Sequence, residues 1–155
     1  MCELTVRPAA EEDAAALADM ERACFSDPWS ENSIIYEIKN PSAIFLCARL
    51  GGELAGYAVM THVLDEGSID NIAVAERFRR RGVARALMEA VFASAAGLGL
   101  SFLTLEVRAS NLPAAALYKS FGFEQVGLRK NYYSGPKEDA VLMTRVLREP
   151  DGAPA

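Results

Sequence analysis

Four arginines fall within seven residues of a chain whose formal net charge is −5. They are Arg79, Arg80, Arg81 and Arg85. Guanidinium groups bind phosphate through paired hydrogen bonds, and Gly82 and the small Ala84 let a bulky anion approach the backbone. The run follows a predicted strand that ends at Val74 and opens a predicted helix, where unpaired N–H groups favour anions. The pattern therefore predicts a phosphate-binding loop.

The arginine cluster has other interpretations. By itself it does not separate a binding loop from a solvated basic face. A nucleic-acid patch is disfavoured, because the net charge of −5 repels polyanions and the arginines are not interleaved with aromatic residues. The spacing matches neither a Walker A loop nor G-x-G-x-x-G, which disfavours a nucleoside triphosphate or a dinucleotide.

Two further side chains could move protons. Glu106 lies in the apolar run FLTLEV, and a carboxylate in a buried strand is costly unless it has a partner or a role. It could also face solvent, because alternate residues of a strand share one face. The phenol of Tyr118 could act as an acid, or it could pack against the sheet. Asn111, just before the helix that carries Tyr118, is a typical helix N-cap.

The elements that must position these residues alternate between strand and helix patterns. The chain has 155 residues and is 51% apolar, so we expect a single domain over 1–148 and a flexible tail over 149–155. The predicted fold is α/β, with four helices and a mixed, mostly antiparallel sheet of seven strands. Strands are predicted at 3–7, 44–50, 53–64, 68–74, 101–107, 123–130 and 139–147, and helices at 10–24, 30–40, 82–96 and 112–120.

Cysteine usage and hydropathy indicate the compartment. Cys2, Cys24 and Cys47 form no C-x-x-C pair, and His62 is the single histidine, so we expect no metal site and no disulfide framework. The N-terminus lacks the order of a secretory signal, and apolar runs stay short of the ~18 residues of a membrane span. We expect a cytoplasmic protein with neither a membrane nor a nucleic acid as its partner.

The motif Arg79-x-x-Gly82-x-Ala84, between a strand and a helix, resembles the acetyl-CoA signature of the GNAT superfamily. The resemblance implies the GNAT fold and acetyl-CoA as cosubstrate, with the pyrophosphate held by loop amides and no metal. It also implies that the strand before the loop lines the pantetheine arm and supplies a backbone N–H to the oxyanion. The coenzyme-binding residues would be Ile72, Ala73, Val74, Arg80, Arg81, Gly82, Val83, Ala84, Arg85 and Asn111.

Further stretches resemble the RimI family of ribosomal-protein-alanine N-acetyltransferases. They are Asp27–Ser30, Leu105–Asn111, Ala116–Tyr118, Gly122–Phe123, Asn131–Tyr133 and Glu138–Ala140. This resemblance implies Glu106 as proton acceptor and Tyr118 as proton donor. Tyr132 and Tyr133, in a predicted loop, could shape the peptide groove or pack on the sheet. The acceptor would be the N-terminal alanine of a small-subunit ribosomal protein, acetylated by direct transfer.

Two other functions remain open at this point. The chain could acetylate protein lysines or a small amine, although a lysine (pKa about 10.4) is harder to deprotonate than an α-amino group (roughly 7.7–8.0). It could also be a non-catalytic module that binds coenzyme A or another polyanion through the Arg79–Arg85 loop. A lysine acetyltransferase would still acetylate peptides whose N-termini are blocked, unlike an N-terminal acetyltransferase. A binding module would be unaffected by substitution of Glu106 and Tyr118, whereas an enzyme would lose turnover.

Overall fold

The computed structural model describes residues 3–148, and the expected flexible tail at 149–155 lies outside the described residues. The strands are β1 Leu4–Pro8, β2 Ala43–Leu50, β3 Glu53–Val63, β4 Glu66–Val74, β5 Phe102–Arg108, β6 Glu124–Ser134 and β7 Lys137–Val146. The helices are α1 Ala14–Cys24, α2 Glu31–Lys39, α3 Val83–Gly97 and α4 Leu112–Ser120. Short 3-10 turns lie at Glu11–Asp13 and Glu76–Phe78.

The seven strands form one sheet in the order β1-β2-β3-β4-β5-β7-β6. Pairing is antiparallel for β1–β2, β2–β3, β5–β7 and β6–β7. Strands β4 and β5 pair in parallel, with Glu66–Ile69 opposite Phe102–Leu105. The predicted α/β fold with a mixed, mostly antiparallel sheet is confirmed.

The described chain divides into two compact units. The first contains residues up to Thr61 together with Asn71–Ser94, and the second contains His62–Asp70 together with residues from Ala95 onward. In the first unit, side chains of α1, α2, β2 and β3 pack into a core that includes Leu17, Ile34, Phe45, Tyr57 and Val59. In the second, Leu103, Leu105, Val107, Phe123 and Met143 are buried. That the chain is a single domain stays a prediction.

Two predicted helix starts are confirmed by their caps. The hydroxyl of Ser30 accepts a hydrogen bond from the backbone N–H of Ser33 at 3.1 Å, which satisfies a free donor at the start of α2. Oδ1 of Asn111 accepts from the N–H of Ala114 at 3.2 Å at the start of α4. Each cap is a contact between residues three apart, which explains why local sequence predicts it.

The β6–β7 hairpin differs from the prediction, because Tyr132 and Tyr133 lie in strand β6 and not in a loop. The strand continues through an irregularity between Arg129 and Tyr133, where Asn131 adopts a φ of 55°. The side chain of Asp139 accepts a hydrogen bond from the N–H of Asn131 at 2.8 Å. This bulge absorbs extra residues without ending the ladder, so both strands extend beyond their predicted ends.

Candidate active site

The loop before α3 has the backbone geometry of an anion site. Arg80 and Gly82 adopt positive φ values of 62° and 81°. The N–H of Ala86 donates to the carbonyl of Gly82 at 3.0 Å, so the helix begins directly after the glycine and its first N–H groups have no acceptor within the helix. A Cβ built on Gly82 would meet nothing within 4 Å, so the backbone there is open to a ligand.

The side chains of this loop divide into two groups. Arg80, Arg81 and Arg85 are exposed. Val83 is buried, and its packing fixes the start of α3 within the first unit. Val83 and Ala84 can therefore offer a ligand their main-chain amides. Arg79 has a structural contact, because its Nε donates to the carbonyl of Val74 at 3.3 Å. It ties the loop to the end of β4.

The strand before the loop is held on several sides. Ala73 is buried, and Ile72 and Val74 are half-buried on the other face of the strand. The N–H of Ala75 donates to the carbonyl of Ala55 at 2.8 Å, which joins the end of β4 to β3. Ile72–Arg85 therefore forms a continuous strand, loop and helix start within the first unit.

Glu106 lies in the second unit, on the face of β5 opposite the buried Leu105 and Val107. The side chain of Glu106 is 31% exposed. It therefore lies on the solvent-facing side of β5, as one of the two interpretations expected. The carboxylate still has neighbours. Nε of Arg129 lies 4.0 Å from its Oε1, and a hydrogen bond with Glu106 is the main cause that raises the pKa of Tyr132.

Tyr118 is buried in the second unit, with 6% of its surface exposed. Its ring meets that of Phe123 edge-on, with centroids 5.9 Å apart. The packing interpretation of Tyr118 is therefore correct as well. Burial, with a smaller effect of Tyr133, raises the pKa of the Tyr118 phenol well above its usual range. The phenol consequently keeps its proton at neutral pH.

Asn111 also lies in the second unit and is exposed at the start of α4. Its Oδ1 is used by the cap described above, and its own N–H donates to the carbonyl of Arg108 at 2.9 Å. The structural role is confirmed, and the coenzyme contact stays a prediction.

Comparison with known proteins identifies the family. Residues 14–123 match the model of the acetyltransferase (GNAT) family. The chain belongs to this family. It is 36% identical over 139 residues to the putative [ribosomal protein bS18]-alanine N-acetyltransferase of Bacillus subtilis (strain 168), covering 89% of this chain and 92% of that protein.

Two further matches support the assignment. The [ribosomal protein bS18]-alanine N-acetyltransferase of Escherichia coli (strain K12) is 38% identical over 135 residues, which cover 84% of this chain and 89% of that protein. The crystal structure of the ribosomal-protein-S18-alanine N-acetyltransferase from Escherichia coli superposes with a TM-score of 0.86 at 34% identity, covering 93% and 94% of the two chains. The predicted GNAT fold and enzyme class, an acetyl-CoA-dependent N-acetyltransferase, are confirmed.

In this GNAT acetyltransferase, two groups of contacts close to the candidate site residues were not predicted from the sequence. In the second unit, Arg108 binds the β6–β7 hairpin through the carbonyls of Gly135 and Pro136. In the first, the carboxyl of Glu21 is buried beside Asn71, the residue before Ile72. The signal for Glu21 was present, because it occupies an apolar position of α1 together with Leu17 and Cys24 at helical spacing.

Within residues 3–148, no helix is both long and apolar enough to cross a membrane. Across the same described part of the chain, His, Cys, Asp and Glu side chains form no group of three that could hold a metal ion.

Proposed function

We propose that this enzyme acetylates the N-terminal alanine of ribosomal protein bS18 in the cytoplasm, with acetyl-CoA as donor. The choice of acceptor rests on the similarity to two bS18-alanine N-acetyltransferases. In each comparison the similarity extends over most of this chain and most of the relative. The acceptor chemistry agrees with it. An α-amino group, with a pKa of roughly 7.7–8.0, is partly neutral near pH 7.5 and needs little help to lose its proton.

The coenzyme is assigned to the first unit. In this proposal, main-chain amides of Gly82, Val83 and Ala84 bind the pyrophosphate, and the exposed guanidiniums of Arg80, Arg81 and Arg85 add positive charge. The open backbone at Gly82 supports this role. The backbone of Ile72–Val74 binds the pantetheine arm, and one of its N–H groups stabilises the oxyanion. Asn111 contributes a further polar contact.

Glu106 is assigned the role of proton acceptor, directly or through one water. The support is its position on the open face of β5 and its two polar neighbours, Arg129 and Tyr132. A phenol that donates to the carboxylate restricts its orientation, and this matters because proton transfer depends on hydrogen-bond geometry.

Tyr118 is assigned the role of proton donor to the departing thiolate. Burial keeps its phenol protonated across the neutral range, so the proton is available when the C–S bond breaks. A thiolate that develops in equally dehydrated surroundings becomes more basic as well, which favours its protonation.

The proposed reaction is one direct transfer. The neutral amine nitrogen attacks the thioester carbonyl carbon, a C–N bond forms, and the C–S bond breaks with its electron pair leaving on sulfur. The amine proton passes to Glu106 and the Tyr118 proton passes to sulfur. The products are the N-acetylated protein and coenzyme A as a thiol, and exchange with solvent restores both residues.

Mass spectrometry of a peptide pair tests the proposal. One peptide carries the free N-terminus of bS18 with an internal lysine, and its partner has the same sequence with a blocked N-terminus. We expect acetylation of the free peptide alone, and we expect Glu106→Gln to lower kcat about 100-fold or more. Binding of coenzyme A, measured by calorimetry, should be unchanged in that variant.

Each alternative gives a different result in the same assay. Equal acetylation of the blocked peptide would show a lysine acetyltransferase. Binding of coenzyme A without turnover, unaffected by Glu106→Gln and Tyr118→Phe, would show a binding module.

A further inference from the structure

Glu21 is a carboxyl group that the proposed reaction does not use. It lies on α1 and is 1% exposed, and a fully buried glutamate is rare and costly unless its oxygens are satisfied. Three donors satisfy them: the N–H of Trp29 at 2.7 Å, Nδ2 of Asn71 at 3.0 Å, and the hydroxyl of Tyr57. Burial raises the pKa of Glu21, while the bonds from Trp29 and Asn71 act in the opposite direction.

The next turn of α1 contacts the same strand at its other end. Sγ of Cys24 lies 4.0 Å from the carbonyl oxygen of Val74, which also accepts from Arg79. Residues three apart on a helix lie on one face, so Glu21 and Cys24 point the same way. Together they contact Asn71 and Val74, which bracket the segment Ile72–Ala73. One face of α1 therefore holds both ends of this piece of β4.

We propose that Glu21 is a positioning residue for acetyl-CoA. Its bond to Asn71 fixes one end of the backbone that binds the pantetheine arm, and the contacts of Cys24 and Arg79 with Val74 fix the other. The inference rests on the coenzyme site proposed above for Ile72–Val74. A displacement of about 1 Å in a positioning group can cost 100-fold in rate. Here the positioned group is the backbone that binds the coenzyme, so its displacement should appear as a loss of coenzyme affinity.

The competing interpretation is that Glu21 stabilises the fold alone. Asp13 is a matched control, because it is another buried carboxylate of the first unit, 4% exposed. Its bonds go to Nη2 of Arg49 at 2.7 Å and to the N–H of Ala10 at 2.8 Å, away from β4. Asp13→Asn should lower stability without disturbing the coenzyme strand.

The experiment compares the full chain with Glu21→Gln, Asn71→Ala, their double variant, and Asp13→Asn. An amide at position 21 has a single acceptor oxygen and cannot satisfy all three donors. We expect the KM for acetyl-CoA and the Kd for coenzyme A to rise about tenfold in each of the first two variants. The effects of the two single variants should not add in the double variant, because Glu21 and Asn71 are in direct contact. Asp13→Asn should lower the melting temperature and leave KM and Kd unchanged.

Unchanged KM and Kd in Glu21→Gln, or equal changes in Asp13→Asn, would overturn the inference. If Glu21→Gln does not fold, Asn71→Ala decides in its place. A wild-type chain that binds coenzyme A without acetylating the peptide would overturn the proposed function while the Kd values still test the role of Glu21. A wild-type chain that binds no coenzyme A would overturn both.

Discussion

The guanidinium of Arg108 lies 4.3 Å over the ring of Tyr133, and its Nη1 donates to the carbonyl of Pro136 at 2.8 Å. Nη1 also lies 3.3 Å from the carboxylate of Glu138, whose other oxygen accepts from the N–H of Ser110. Arg108 thus joins β5, two residues after Glu106, to the end of the β6–β7 hairpin. Because planar stacking and several donors act together, lysine cannot reproduce this contact.

Arg108→Lys should therefore loosen the hairpin that carries Tyr132 and Tyr133, two residues that could shape the peptide groove. We expect the KM for the peptide to rise about tenfold, with the KM for acetyl-CoA unchanged. Steady-state kinetics with each substrate varied in turn measures this. Arg145→Lys is the control, because Arg145 donates to the carbonyl of Phe121 in the same unit. An unchanged peptide KM in Arg108→Lys would contradict the prediction.

Gly82→Ala and Gly52→Ala form a matched pair. Both glycines adopt positive φ values, 81° and 84°, and an added Cβ would meet nothing within 4 Å at either position. Each substitution should cost about 1–2 kcal/mol of unfolding free energy, from backbone strain alone. Gly82→Ala should in addition weaken coenzyme A binding in calorimetry, because the methyl group occupies space proposed for the pyrophosphate. Equal affinities in the two variants would argue against that site.

Gly56→Ala should destabilise the first unit, because a Cβ there would lie 2.6 Å from the carbonyl oxygen of Ala73 and 3.1 Å from a methyl of Val83. Backbone cannot move aside cheaply, so we expect a loss of about 1–3 kcal/mol in urea unfolding. Gly97→Ala, at the end of α3 with nothing within 4 Å, is the control and should be neutral or slightly stabilising. An unchanged free energy of unfolding in Gly56→Ala would contradict the prediction, because it would mean that β3 can shift away from Ala73 at little cost.

The buried phenol of Tyr118 should make the free energy of unfolding depend on pH in alkaline solution. Burial raises the pKa of its phenol above the ordinary 10.0, so the folded protein keeps a proton that the unfolded chain releases. Its contribution is fully present below about pH 10 and is lost as pH rises through the raised pKa of the folded state. The unfolding free energy should fall less steeply above about pH 10 in Tyr118→Phe than in the wild type. Urea unfolding across this range measures both slopes, and identical slopes would refute the prediction.

Much of the fold was predictable because its signals are local. Ser30 and Asn111 cap their helices through residues three positions away, and the strand–loop–helix around Gly82 follows from a short motif. Alternation along β5 correctly placed Leu105 and Glu106 on opposite faces. The acceptor and the roles of Glu106 and Tyr118 came from family resemblance, since periodicity alone favoured a solvent-facing carboxylate and a packed tyrosine.

The missed contacts join residues that are distant in the chain. Asn71 is 50 residues from Glu21, and Glu138 is 30 residues from Arg108. Sequence spacing carries no direct signal for such pairs. The continuation of β6 through Tyr132 was missed because it involves a bulge, held by a bond between Asn131 and Asp139 across the hairpin, that simple alternation does not reveal.

By itself, the sequence determined the order of elements, the helix caps, the exposed arginine loop and the family. These depend on periodicity and on contacts within a few residues, which the chain encodes locally. Only the tertiary structure decided that a buried glutamate of α1 meets β4, that Arg108 holds the hairpin, and that Arg129 lies beside Glu106. The reason is that burial and hydrogen bonding between distant segments exist only after the sheet has formed and brought them within bonding distance.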